Sequence, residues 1–171
     1  MIAPFIALFL AAQTLASQAP ASQTPAPTSA EAEIAAALDR LNAASSAADG
    51  PAYFSLFTPE ARFIGTDATE HWTMAQFRAF AEPVFARGRG WSYPATERTI
   101  TVAPIDCRCV AWFEEKLINA SYGETRGSGV MRLTPDGWKI EQYVLSIAIP
   151  NDKADAIVEM IRAPAVAPST D

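Results

Sequence analysis

At Trp91 the spacing of apolar residues changes from helical to alternating, and this switch limits the fold more than any other feature. Before it, Ile34, Leu38 and Leu41 recur at helical spacing, as do Phe77, Phe80, Ala81, Val84 and Phe85. After it come "RTITV", "CVAWFEEKL", "ETRGSGVMRL" and "WKIEQYVLSIAI", separated by the turn-forming "APID", "NASYG" and "TPDG". Helices first and hairpin-linked strands afterwards segregate into an α+β domain, with helices on one face of a curved antiparallel sheet.

The helix limits are written locally. Thr28 with Glu31 forms one capping box, and Thr73 with Gln76 forms another. "DGP" at 49–51 stops the first helix, and "RGRG" at 87–90 stops the helix that Pro83 kinks. Between them, "PAYFSLF" is expected to be a short helix ending before Pro59, with Tyr53, Phe54 and Phe57 needing a surface to cover. "ARFIG" then reads as a short strand and Thr66–Trp72 as a loop. A last amphipathic helix begins at Asn151 or Asp152 and carries Ile157, Val158 and Ile161.

The 171 residues, half of them hydrophobic, are enough for one domain with a core. A formal net charge of -6 leaves no basic surplus for nucleic acid or an anionic membrane, and both partners are excluded. "MIAPFIALFLAA" is too short to span a bilayer, which takes about 20 residues. Small residues follow it. The expectation is a secretory signal peptide over 1–21, cleaved near Ala16–Ala21, and therefore a periplasmic or secreted protein. A Pro/Ser/Thr linker (22–29) leads into the domain (30–162), and 163–171 form a tail.

Cys107 and Cys109 form a lone C-x-C, and with one histidine in the chain there are too few ligands for a zinc site, so no metal is expected. Either a local disulfide or two half-buried small residues beside a turn fits the pattern. "GSG" at 127–129 precedes no helix, so it is no phosphate loop; it marks a bulge or close backbone packing. No cofactor is implied.

"GVMRLTPDGWKIEQYVLSIAIPND", together with "FIGTDATEHWTMAQF", "EPVFARGRGW" and "AWFEEKL", resembles the SnoaL-like branch of the nuclear transport factor 2-like superfamily over about residues 30–162. The resemblance implies a cone: a strongly bent sheet wrapped on three N-terminal helices around one pocket, with a tendency to form homodimers through the sheet. That superfamily hosts isomerases, cyclases, dehydratases and proteins of no known chemistry, so fold alone does not assign a reaction.

Alternation sets the expected pocket. If Trp138 and Ile140 point inward, Gln142 and Val144 follow them; Trp112 and Glu114 would join from their strand and Arg126 from the next. With Tyr53, these give a polar-tipped aromatic pocket for a small apolar or aromatic molecule. Glu114 and Arg126 also suit a structural cross-strand ion pair. Candidate acid/base groups are Asp67, Glu114 and His71, although Asp67 in "GTDAT" suits a turn and His71 a solvent-facing helix entrance. The opposite face would then carry Phe113, Met131, Tyr143, Leu145 and Ile147, an apolar surface to be covered by a second copy. An exported binding protein is the first functional expectation. An isomerase, cyclase or dehydratase is the second, and an association module the third.

Overall fold

The computed structural model describes residues 28–163. The expected signal peptide, most of the linker and the tail from 164 onward lie outside the described residues. Helix α1 spans Ser29–Ser46 and α2 Gly50–Phe54; strands β1 (Phe57–Ile64) and β2 (His71–Thr73) follow, then α3 (Met74–Phe85). Strands β3 (Ala95–Val102), β4 (Val110–Asn119), β5 (Gly123–Thr134) and β6 (Gly137–Ile147) precede a 3-10 turn and α4 (Ala154–Arg162).

Both capping boxes form. Thr28 and Glu31 close the start of α1 reciprocally, and Thr73 and Gln76 do the same for α3. The six strands lie in the order β2-β1-β6-β5-β4-β3, antiparallel except for β1 beside β6. That parallel pair was not foreseen. Nor was the length of β1, which starts at Phe57, so the expected second helix ends earlier, at Phe54. Pro59 falls where pairing with β6 breaks between Phe57 and Arg62, a place that needs no donor from it.

The inner face of the sheet packs on the helices. Ile34, Leu38 and Leu41 of α1 and Phe77 of α3 are almost fully buried against it. On the sheet side the buried residues are Ala111, Phe113, Glu115 and Leu117 of β4, then Thr125, Gly127, Gly129 and Met131 of β5. Strand β6 supplies Trp138, Ile140, Tyr143 and Leu145.

This corrects the expected parity. Trp112, Glu114 and Arg126 lie on the outer face, and Phe113 and Met131 on the inner one. In β6 the expectation holds for Trp138 and Ile140 and then fails. The pairing of Val130 with Gln142 and of Met131 with Ile140 leaves Glu141 as an extra residue, a bulge that reverses the alternation. Tyr143 and Leu145 therefore turn inward and Gln142 and Val144 outward. Four of the five residues expected at a dimer face are core. The fifth, Ile147, is 44% exposed at the strand's end.

Gly127 and Gly129 are where the backbone must approach closely. A Cβ on Gly127 would meet the Tyr143 hydroxyl and Leu117; on Gly129 it would meet the Gln142 carbonyl and the Phe113 ring. Close packing, one of the two readings of "GSG", is the outcome. Across from Gly127 sits Glu115, its side chain wholly buried. Arg98 on β3 donates to its Oε1 at 2.8 Å, to the Ala35 carbonyl at 3.1 Å and to Asp39 at 2.7 Å, tying the edge strand to α1. The other carboxylate oxygen of Glu115 has no partner. Burial pushes the Glu115 carboxyl above its usual range, and Arg98 only partly offsets this.

Cys107 and Cys109 are joined, with Cα atoms 5.1 Å apart. The open question about them resolves to the local disulfide. Helix α4 forms as expected, but none of its residues is buried, so it does not cover the outer face of the sheet.

Candidate functional site

The cone opens into a cleft of about 630 Å³. One wall is a ladder of rings running outward from the core. Tyr143 stacks on Phe63 (5.5 Å between centroids, 8° between planes), Phe63 on Phe77 (3.9 Å, 16°), Phe77 on Trp72 (5.6 Å, 10°) and Trp72 on Phe80 (5.0 Å, 23°). Stacking spends the inner faces of these rings on one another; Phe63, Phe77, Trp72 and Phe80 line the cleft, where ring edges can meet a flat guest.

The opposite wall comes from the chain between α3 and β3. Gly90 lies against the last turn of α1, so close that a side chain there would strike the Ser45 carbonyl. The Ser45 hydroxyl donates to the Trp91 carbonyl at 2.8 Å. These two contacts fix Trp91, which stands edge-on to Phe85 at 4.7 Å, and place Tyr93 at the cleft. The β4–β5 turn closes the rim. Asn119 accepts from the backbone N–H groups of Ser121 and Tyr122, and its amide donates to the Ser92 carbonyl. Gly123 ends the turn at φ 69°, a conformation that suits glycine.

Glu70 is the one charged side chain on the cleft wall. Its carboxylate lies against Gly65 and accepts from the Asp67 N–H at 3.2 Å. Burial, first, and then the neighbouring Tyr122 and Glu70 raise the Tyr93 hydroxyl above its usual value. A smaller cavity of about 30 Å³ lies deeper, bordered by Asn42, Ser45, Tyr53, Tyr93 and Tyr143, and shares Phe63, Trp91, Tyr93 and Leu145 with the cleft. That is room for a water molecule or one small polar group. Burial raises Tyr53 and Tyr143 strongly, so both hydroxyls are neutral donors.

The residues expected at the site divide. Tyr53 does face this inner cavity. Trp112, Glu114, Arg126 and Gln142 do not reach it, because the sheet lies between. Nor do Glu114 and Arg126 pair: the ladder sets Glu114 beside Ser128 and Arg126 beside Lys116, which binds Glu97 at 2.9 Å. Asp67 is a turn residue whose carboxylate accepts from the Thr69 hydroxyl and N–H, which holds it below the usual carboxylate range. A general base over an apolar pocket needs the opposite shift. His71 is exposed on β2, paired with Ile64. Glu70, Trp72, Trp91, Tyr93 and Tyr122 were not singled out from the sequence as site residues. The available signal was two tyrosines in connecting segments, "SYP" and "SYG", where no strand pattern asks for an aromatic. Among the described residues no group of three or more His, Cys, Asp or Glu side chains could hold a metal ion.

A curled sheet on three helices, open at an aromatic-walled end, defines a cone-shaped α+β protein of the nuclear transport factor 2-like class. The chain belongs to the SnoaL-like family, whose domain model matches residues 34–150. No match is found among the curated proteins. A domain of unknown function with a cystatin-like fold from Nostoc punctiforme is similar in structure, with a TM-score of 0.61 at 17% identity, over 82% of this chain and 90% of that one. A protein provisionally named an aromatic ring hydroxylase, from Novosphingobium aromaticivorans, has a TM-score of 0.61 at 20% identity, over 74% and 94%. A provisionally named dehydratase of the NTF2-like family, from Streptomyces avermitilis, has 0.57 at 15%, over 70% and 96%. At these identities the likeness establishes the fold.

Proposed function

We propose that this chain is an exported protein that binds a flat, mostly apolar aromatic molecule in the cleft between the ring ladder and Trp91. The ladder carries this reading, since four of its five stacked rings, Phe63, Phe77, Trp72 and Phe80, line the cleft, where ring edges suit the face of a planar guest. Glu70 at the rim and the tyrosine hydroxyls within would take the guest's polar groups. The apolar leader ending in small residues supports export, and so does a disulfide, which persists in an oxidising compartment. Native mass spectrometry of the full chain expressed for export tests both parts. The expected result is a mature start between Ser17 and Ser22 and a retained small molecule, released on denaturation. An uncleaved chain found only in the cytosol removes export, and a bare protein that takes up no flat aromatic added afterwards removes the binding role.

A catalytic reading has one observation in its favour: Glu70 is the cleft's only carboxylate and stands beside Tyr93. Asp67 and Glu114 are set aside as the acid/base. If Glu70 transfers a proton, wild type and Glu70→Gln will retain molecules of different structure, substrate in the variant and product in the wild type. Identical retained molecules leave binding alone. Pairing as a homodimer stays within the proposal, still through the outer face but with other residues. There Trp112 is 48% exposed in a row with Val130 and Gln142.

A further inference from the structure

We infer that the loop between β3 and β4 is a thiol–disulfide exchange site, at which the Cys107–Cys109 bridge accepts electrons from incoming thiols. The inference is independent of what the cleft binds. The loop is held without sulfur: Ala103 N–H donates to the Val110 carbonyl, Arg108 N–H to Ile105, and Leu133 N–H to Cys109, all at 2.8–2.9 Å. The bridge encloses a single residue, Arg108. A disulfide stabilises in proportion to the loop entropy it removes, and a loop this short removes the least. As a staple it is close to redundant.

Its chemistry is better provided for. Cys107 is exposed, so a thiolate can reach its sulfur. Arg108 is held at φ 45°, a left-handed backbone that among the described non-glycine residues only Ala48 shares. That conformation is a costly one for a residue with a side chain. Exposed disulfides are the readily exchanged ones. The two sulfurs also differ. Cys107 lies between Asp106 and Arg108, whereas Cys109 lies between Arg108 and Val110. The thiolate that leaves at Cys109 thus has a guanidinium next to it in sequence and no adjoining carboxylate, which favours it as the leaving group.

In the exchange, a thiolate attacks Cys107 Sγ and the S–S bond breaks. Its electron pair stays on Cys109 Sγ, which takes up a proton. A second thiol then attacks the incoming sulfur and releases Cys107 as a thiolate, which is protonated in turn. Two thiols are oxidised to a disulfide and the bridge is reduced to a dithiol.

The test uses the native full chain with millimolar reduced glutathione without oxygen, quenched by N-ethylmaleimide at short times. Trypsin cuts after Arg108, placing the cysteines in separate peptides, Thr99–Arg108 and Cys109–Lys116. The expected early product carries glutathione on the first and maleimide on the second, with an unchanged circular dichroism spectrum. Glutathione found on the Cys109 peptide overturns the assignment, as does a bridge that reacts only in denaturant. A Cys107→Ser/Cys109→Ser double variant is expected to melt within a few degrees of wild type. A large fall in its melting temperature would make the bridge a structural staple and overturn the inference too.

Discussion

The two faces of the same three strands, β4 to β6, behave as different materials. The inner face holds Phe113, Met131, Trp138, Tyr143 and Leu145 almost without exposure, cleared by two glycines and interrupted by a single buried carboxylate. The outer face alternates Trp112 with Glu114 and Lys116, and Val130 with Arg126 and Arg132, all at least partly exposed. Packing tolerates almost no change on the first and leaves wide freedom on the second. Charge alone does not mark the difference, since Glu115 is inside. What distinguishes Glu115 is a guanidinium that reaches it from a neighbouring strand.

Substitutions should expose this contrast in order of size. Phe77→Ala, which removes the ring at the middle of the ladder, is expected to lower unfolding free energy by about 3–5 kcal/mol in urea titrations. Gly127→Val, which drives a side chain into Tyr143 and Leu117, should cost about 1–3 kcal/mol by the same measurement. A loss of under about 0.5 kcal/mol for either would mean that the inner face is looser than its geometry implies. On the outer face, Arg126→Ala should stay within about 0.5 kcal/mol of wild type.

Glu115 adds a pH-dependent test. Its folded carboxyl is raised above the ordinary 4.5, so the protonated form is favoured by folding. Its titration therefore contributes stability that is fully present below pH 4.5 and is lost as pH rises through the higher folded value. In Glu115→Gln that titration is gone. Melting curves across this range should show the wild type's advantage over the variant shrinking as pH rises. An advantage that grows with pH would mean that Arg98, not burial, dominates the carboxyl.

Much of this was legible in the residues. The capping boxes, the hairpin turns and the order of elements are local signals, and they place α1, α3 and β3 to β6 within a few residues. Parity was legible too, had charges been weighed over aromatics. In "ETRGSGVMRL" one set holds Glu124, Arg126 and Arg132, while the other holds Thr125, two glycines and Met131. In "CVAWFEEKL" the large ring of Trp112 points to the wrong parity, because the partner that lets Glu115 face inward is Arg98, a residue 17 positions earlier. The β6 bulge shows only as two polar residues, Glu141 and Gln142, between the apolar Ile140 and Tyr143. The cleft was hardest to see, since its walls come from loops that tertiary contacts such as Ser45 to Trp91 hold in place.

The four tryptophans provide the most direct test of the binding claim, because they sample the three environments in question. Trp72 and Trp91 line the cleft, Trp138 is in the core and Trp112 is on the outer face. Their indole N–H signals in a nitrogen-15 NMR spectrum, followed while 2-naphthol is added as a flat hydroxylated aromatic, report each site separately. A ligand cleft predicts saturable shifts at Trp72 and Trp91, with Trp112 and Trp138 unmoved. Shifts confined to Trp112, or none at any tryptophan up to the probe's solubility, would contradict it.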